Sequence, residues 1–223
     1  MALFERLKQA APADWNAYVD HAFVRGLGDG TLPQAAFRQY LVQDYLFLIQ
    51  FARAHALAAY KARTLADMRA AKDGLAAIVD VEMQLHLRLC ERWGLSAAVV
   101  EATAEHPATV AYTRWVLDIG MSGDLLDLQV ALSPCTLGYA EIGRRLAPQG
   151  VDALGAAHPY REWIGEYAGA AFQQVGQATQ AWLDDLGRRY ASEARFDELV
   201  AIFAKAARLE ADFWQMGLDA ARG

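Results

Sequence analysis

Apolar residues recur every three or four positions along almost the whole 223-residue chain, and no segment alternates apolar with polar residues as a half-buried strand does. In "FRQYLVQDYLFLIQFA", Phe37, Tyr40, Leu41, Leu48, Phe51 and Ala52 fall on one helical face. Such spacing leaves helix-on-helix packing as the way to bury the apolar stripes. The expected fold is an all-α, multi-helix bundle, in one domain over residues 1–223.

Helix signals divide the chain further. A first pair is expected over about 2–10 and 13–25, ending at the glycines of "RGLGDG". Thr31 as a cap and Pro33 in the first turn open a long helix that runs to about Met68. Further helices are expected at about 70–93, 96–104, 107–121, 124–147, 159–168, 170–188 and 194–220. There is no internal repeat, low-complexity segment or Pro/Gly/Ser linker. The glycines of "GLGDG" follow a helix, not a strand, and so mark a turn and cap, with no phosphate cradle implied.

The charge balance narrows the partners. A net charge of −6, with acidic and basic residues interspersed, provides no basic stripe, so nucleic acid is not an expected partner. No apolar run is long enough for a membrane span, and "MALFERLKQAAPADW" lacks the apolar stretch of a signal peptide. Two cysteines make no disulfide framework, and reduced thiols in a cytoplasmic protein are expected.

Polar residues interrupt several apolar stripes. Asp44 lies amid Tyr40, Leu41, Leu48 and Phe51; Glu210 amid Phe203, Ala207, Phe213 and Trp214; Glu82 between Val79 and Leu85, with His86 one turn beyond. Burying a lone carboxylate is costly, so each needs a partner, a raised pKa or a wet cavity. Capping or pairing with Arg or Lys accounts for any one of them; three at once, with a cysteine, favour a shared cavity. Cys135 shares its inward stripe with Leu128, Leu132, Tyr139 and Ile142. Pro134 beside it lacks an N–H, so it kinks the helix or frees the carbonyl of Val130. A buried cysteine alone is more often inert packing, and Cys90 is read so. Glu82 and His86 have the i, i+4 spacing of a metal pair but lack further ligands, because His21, His55, His106 and His158 form no matching pair; no metal or other cofactor is expected. His55 and His86 are expected to be hydrogen-bonded core histidines.

The stretches "GDGTLPQAAFRQYLVQDYLFLIQFARAHALAAYKA", "SPCTLGYAEIG", "HPYREWIGEYAGAAF" and "EADFWQMG" together resemble the TenA family, also called thiaminase II, in family order over nearly the whole chain. The resemblance implies a haem-oxygenase-like all-α fold, commonly a homotetramer. It also implies hydrolysis of 4-amino-5-aminomethyl-2-methylpyrimidine to the hydroxymethyl pyrimidine and ammonia, and cleavage of thiamine to that pyrimidine and its thiazole. Small-molecule aminopyrimidines or thiamine are the implied ligands. Carried over by motif, the nucleophile is Cys135 in "SPC", the acid/base is Glu210 in "EADFW", and Asp44 in "QDY" binds the aminopyrimidine. Tyr112, Tyr139 and Tyr167 match the aromatic pocket residues. Phe47 stands where the family often has tyrosine; stacking survives there, and a hydroxyl that helps orient the substrate is lost. The presence of Cys135 matches the cysteine-containing branch. The alternatives are a redox protein resembling the PqqC or haem-oxygenase branches, with His21 the only rough candidate for a haem ligand, and a pyrimidine-binding regulator without turnover.

Overall fold

The computed structural model describes residues 2–222, which contain helices and no strand. In chain order these are α1 (Leu3–Ala10), α2 (Pro12–Val19), α3 (Ala22–Asp29), α4 (Gln34–Lys61) and α5 (Leu65–Ala76). A π-helical segment, Ala77–Glu82, leads directly into α6 (Met83–Arg92). Then come α7 (Ala97–Ala102), α8 (Pro107–Ser122), α9 (Leu125–Leu146), a 3₁₀ turn at Val151–Leu154, α10 (Arg161–Ala168), α11 (Ala170–Tyr190) and α12 (Glu193–Ala220). The chain forms two compact units. One runs up to Pro33 and resumes over Val130–Gln215; the other holds Gln34–Gln129 and the residues from Met216.

Several expected boundaries move, each for a local reason. The helix expected over 13–25 is two helices, because His21 leaves helical geometry and its side chain accepts a bond from the Phe23 N–H, capping α3. Thr31 does not cap α4. Its hydroxyl and N–H both bond Asp29 Oδ1, at 2.6 and 3.0 Å, closing the turn after Gly30, whose φ of 76° suits glycine. The long helix stops at Lys61, not near Met68. Thr64 starts a new helix there: its hydroxyl accepts the Asp67 N–H while bonding the Asp67 carboxylate at 2.7 Å. Helix α5 therefore begins five residues before the expected 70. Helices from α7 onward agree with the sequence reading to within two residues at each end, the tolerance of any helix boundary.

In the first unit, aromatic rings form the core. Trp15 stacks on Phe203 at 5.4 Å, and Trp214 stacks on Phe23 at 4.8 Å. The amide of Phe4 bonds Asp184, tying α1 to α11. In the second unit, α4 packs along α5, α6 and α8. The buried Gln43 side chain joins α4 to the start of α8: its amide donates to the Ala104 carbonyl, and its oxygen accepts from the His106 N–H and the Thr109 hydroxyl, both at 2.7 Å. Leaving such a group unpaired costs about 1–3 kcal/mol, so this network fixes α8 against α4. Among the described residues no helix is long and apolar enough to cross a membrane.

Candidate active site

Four of the residues singled out from the sequence lie in the first unit: Cys135, Tyr139, Tyr167 and Glu210. Pro134 sits inside the unbroken helix α9, and its missing N–H leaves the Val130 carbonyl without its usual helical donor. Ser133 supplies a replacement, its hydroxyl donating to that carbonyl at 2.9 Å. The Pro134 carbonyl accepts from the Tyr18 hydroxyl at 3.3 Å. Tyr18 comes this close because position 138 is glycine; a Cβ there would run into the Tyr18 ring. Cys135 is half-buried in this setting.

One turn on, the Tyr139 ring lies 4.8 Å from Tyr167 and 5.3 Å from Trp214, and Trp163 is 4.6 Å from Tyr167. A second glycine makes this possible. At Gly143 the helix backbone meets the backbone of Tyr167 and Ala168 so closely that any side chain would collide. Gln173 then holds the carbonyls of Ala140 and Tyr167, at 3.0 and 2.6 Å. Glu210 is 2% exposed, on the α12 stripe expected from the sequence, between buried Phe203 and buried Phe213 and Trp214.

Asp44, Phe47 and Tyr112 lie in the second unit. Phe47 is 5.1 Å from Tyr112 and 5.6 Å from Phe51, so the structure brings these rings together. Tyr112 follows Thr109 by less than one turn, and the Gln43 network that anchors Thr109 thereby sets the Tyr112 ring. Asp44 is buried and accepts from the Tyr40 hydroxyl at 3.0 Å. Burial pushes its carboxyl up to about 7, against which the Tyr40 bond works. His86 Nδ1 lies 3.5 Å from the same oxygen, Asp44 Oδ2, while His86 Nε2 is 2.7 Å from the Leu41 carbonyl. Burial lowers His86 to about 4, so at neutral pH the imidazole is uncharged and the contact is not an ion pair. Glu82 is raised to about 8 by burial and then by the nearby Asp44 charge.

The remaining thiol and histidine differ. Cys90 is fully buried, with its sulfur 4.0 Å from the Leu41 carbonyl, and burial drives its thiol up to about 12. It packs, as expected, and it is inert. His55 is not the hydrogen-bonded core histidine expected: its Nδ1 has no hydrogen-bond partner, and its ring stands edge-on to Phe51 at 4.9 Å. Gly74 explains the choice, since the His55 ring occupies the space a Cβ would need. Among the described residues, no group of three or more His, Cys, Asp or Glu side chains is arranged to hold a metal ion.

A sequence model described as the TENA/THI-4/PQQC family matches residues 8–220. The chain belongs to this family. A relative from Haemophilus influenzae, named only as an uncharacterized protein, is 42% identical over 98% of this chain and 100% of its own length. The aminopyrimidine aminohydrolase of Halalkalibacterium halodurans is 37% identical over 98% of this chain and 96% of that protein. The crystal structure of a TenA family transcription regulator from Silicibacter sp. TM1040 superposes with a TM-score of 0.90 at 46% identity, covering 97% and 96% of the two chains. A domain of unknown function from Shewanella denitrificans, described as having a heme oxygenase-like fold, matches with a TM-score of 0.75 at 13% identity over 98% and 93% of the chains. The fold is therefore all-α and haem-oxygenase-like, as the sequence resemblance implied.

For this family member, sequence periodicity found Asp44, Glu82 and Glu210 but missed how the first two are held. Tyr40 was read as part of an apolar stripe, yet its hydroxyl sits on Asp44. The π-helical segment left no mark in the apolar spacing, although it ends at Glu82. Such segments are rare and recur at functional sites.

Proposed function

We propose that this chain is an aminopyrimidine aminohydrolase of thiamine salvage, of the cysteine-containing branch, acting as one domain in a homotetramer and in a reducing, cytoplasmic setting. The observation that carries this reading is the contrast between its two thiols. Cys90 is sealed and driven up to about 12, whereas Cys135 is the half-buried one, on a helix turn shaped by Pro134 and Gly138.

A pyrimidine ring holds its exocyclic CH2–N bond firmly until electrons are pushed through the ring. Addition of the Cys135 thiolate to a ring carbon supplies that push, while Glu210 gives a proton to a ring nitrogen. The aminomethyl nitrogen, protonated at neutral pH, leaves as ammonia with the electron pair of the exocyclic C–N bond. Water adds to the resulting methide carbon and yields a proton to the released ammonia, the C–S bond breaks to return the thiolate, and Glu210 regains its proton as the ring becomes aromatic again. Asp44 holds the amino edge of the heterocycle. Phe47, Tyr112, Tyr139 and Tyr167 supply ring faces against which it stacks and which exclude water. Phe47 offers a face but no hydroxyl. With thiamine, the thiazole is the leaving group in place of ammonia.

The test is a side-by-side assay of the purified protein with the aminomethyl pyrimidine and with thiamine, following ammonia by enzyme coupling and thiazole by chromatography. Ammonia release with saturation supports the reading, and the ratio of the two kcat/KM values assigns the substrate. The competing reading is a pyrimidine-binding regulator without turnover; the Silicibacter relative is described as a transcription regulator. It predicts binding without release of either product.

A further inference from the structure

We propose that His86 is a positioning residue that keeps one proton on the Asp44 carboxyl group, so that Asp44 meets an uncharged amino-substituted N-heterocycle as hydrogen-bond donor and acceptor at once. This rests on the aminopyrimidine reading for the identity of the ligand, but the network itself stands on the geometry of the second unit.

The Leu41 carbonyl can only accept, and His86 Nε2 lies 2.7 Å from it, so Nε2 carries the hydrogen. A neutral imidazole then has its lone pair at Nδ1, which lies 3.5 Å from Asp44 Oδ2. Two lone pairs facing each other at that distance repel, whereas a proton on Oδ2 makes the contact attractive. The Tyr40 hydroxyl donates to the same oxygen at 3.0 Å and sets the carboxyl plane. Both contacts use Oδ2, and no described residue hydrogen-bonds Oδ1, which is left as an acceptor.

The groups around Asp44 in this unit agree. Glu82, delivered by the π-helical segment one helical turn before His86, and Cys90, one turn after it, interact with the Asp44 charge unfavourably. Tyr45, on the same helix as Asp44, is turned to Glu101 through its hydroxyl. None of these is a cation able to compensate an ionised Asp44. Burial acts in the same direction, holding Asp44 at about 7 and His86 at about 4.

The chemical consequence concerns ligand class. A carboxylate accepts only; it suits an amino N–H but repels the lone pair of the ring nitrogen beside it. A carboxylic acid offers Oδ1 to the amino group, while its Oδ2 proton is shared between His86 Nδ1 and the ring nitrogen as a three-centre bond, with no covalent bond changed. The pair of contacts selects a neutral amino–imino edge, as in 4-aminopyrimidines, over an oxo-pyrimidine, whose edge presents the opposite order.

The experiment is calorimetric titration of the hydroxymethyl pyrimidine into the wild-type protein, His86→Gln and His86→Asn between pH 6.5 and 9. The product is used so that binding is read without turnover. Gln reaches the Leu41 carbonyl but puts no acceptor where Nδ1 stood; Asn puts its oxygen there. Wild-type Kd is expected to hold up to about pH 7 and then weaken about tenfold per pH unit, one proton being required. In His86→Gln the break moves down by about one unit, so Kd at pH 7 rises about fivefold and at pH 8 about tenfold, while His86→Asn stays within about threefold of wild type. Equal behaviour of the two variants, with unchanged melting temperatures, overturns the proposal. Should either variant fail to fold, ¹⁵N spectra of histidine-labelled wild-type protein decide. A neutral Nε2–H tautomer with Nδ1 accepting supports the network; an imidazolium or an Nδ1–H tautomer at pH 7 contradicts it. Wild-type protein that shows this tautomer yet binds no pyrimidine removes the ligand reading and leaves the network intact.

Discussion

The two compact units bury polar chemistry in opposite ways. In the first, Glu210 and the half-buried Cys135 belong to a unit whose core is aromatic, with Tyr139, Trp163, Tyr167 and Trp214 in mutual ring contact and close helix approach allowed by glycine. In the second, the aromatic pair Phe47 and Tyr112 is accompanied by a cluster of titratable groups, Asp44, Glu82 and His86, whose pKa values are pushed toward their uncharged forms. On the proposed reading, packing shapes the surroundings of the Cys135 thiol, while proton occupancy tunes the Asp44 carboxyl. Substitutions in the first unit are thus expected to act on kcat, and those in the second on KM and on the pH dependence of stability.

The largest effect should come from Glu210→Gln, which keeps the shape of the side chain and removes the transferable proton. We expect kcat for ammonia release to fall about 1,000-fold with KM within about threefold. A KM effect alone would assign Glu210 to binding and break the contrast.

Asp44→Asn comes next, with an expected rise in KM of about 30-fold and a smaller change in kcat. It carries a second signature. The Asp44 pKa is raised in the folded state, from 3.8 to about 7, so the folded chain keeps a proton that the unfolded chain releases. The stability this group contributes is complete below the unfolded value and is lost as pH rises through about 7. Asparagine has no such loss. Chemical denaturation at pH 8 should find Asp44→Asn more stable than wild type by on the order of 2 kcal/mol, with the gap closing toward pH 4. The buried histidines act oppositely. His55 and His86, lowered to about 4, destabilise the fold as pH falls from 6.5 toward that value.

Gly143→Ala tests the packing side of the comparison. Its Cβ would press on the Tyr167 backbone, and we expect a loss of about 2 kcal/mol in denaturation together with a drop in kcat of about tenfold. The smallest expected change is Phe47→Tyr, at about threefold in KM with stability unaltered, since the ring contacts with Phe51 and Tyr112 persist.

How much of this was legible in the sequence follows from the physics of each feature. Helix type and the stripes carrying Asp44, Cys135 and Glu210 could be read because burial imposes a 3.6-residue period on composition. Breaks at His21 and Thr64 could not, because they turn on a side chain choosing a local backbone N–H over the continuing helix, a balance of about 1 kcal/mol. The Asp44–Tyr40 bond spans one helical turn and was within reach; the Asp44–His86 contact joins residues 42 apart and left no local pattern. The freed Val130 carbonyl could be read from Pro134 alone; the Ser133 hydroxyl that satisfies it, three residues away, was not foreseen.

The reading stands or falls on whether the Cys135 sulfur does the chemistry. Ammonia release from the aminomethyl pyrimidine should be measured for wild-type protein and Cys135→Ser, each shown by its melting curve to be folded. The account predicts that wild type turns over and that the serine variant loses at least about 1,000-fold in kcat while still binding the pyrimidine. A serine variant that releases ammonia at close to the wild-type rate would contradict it.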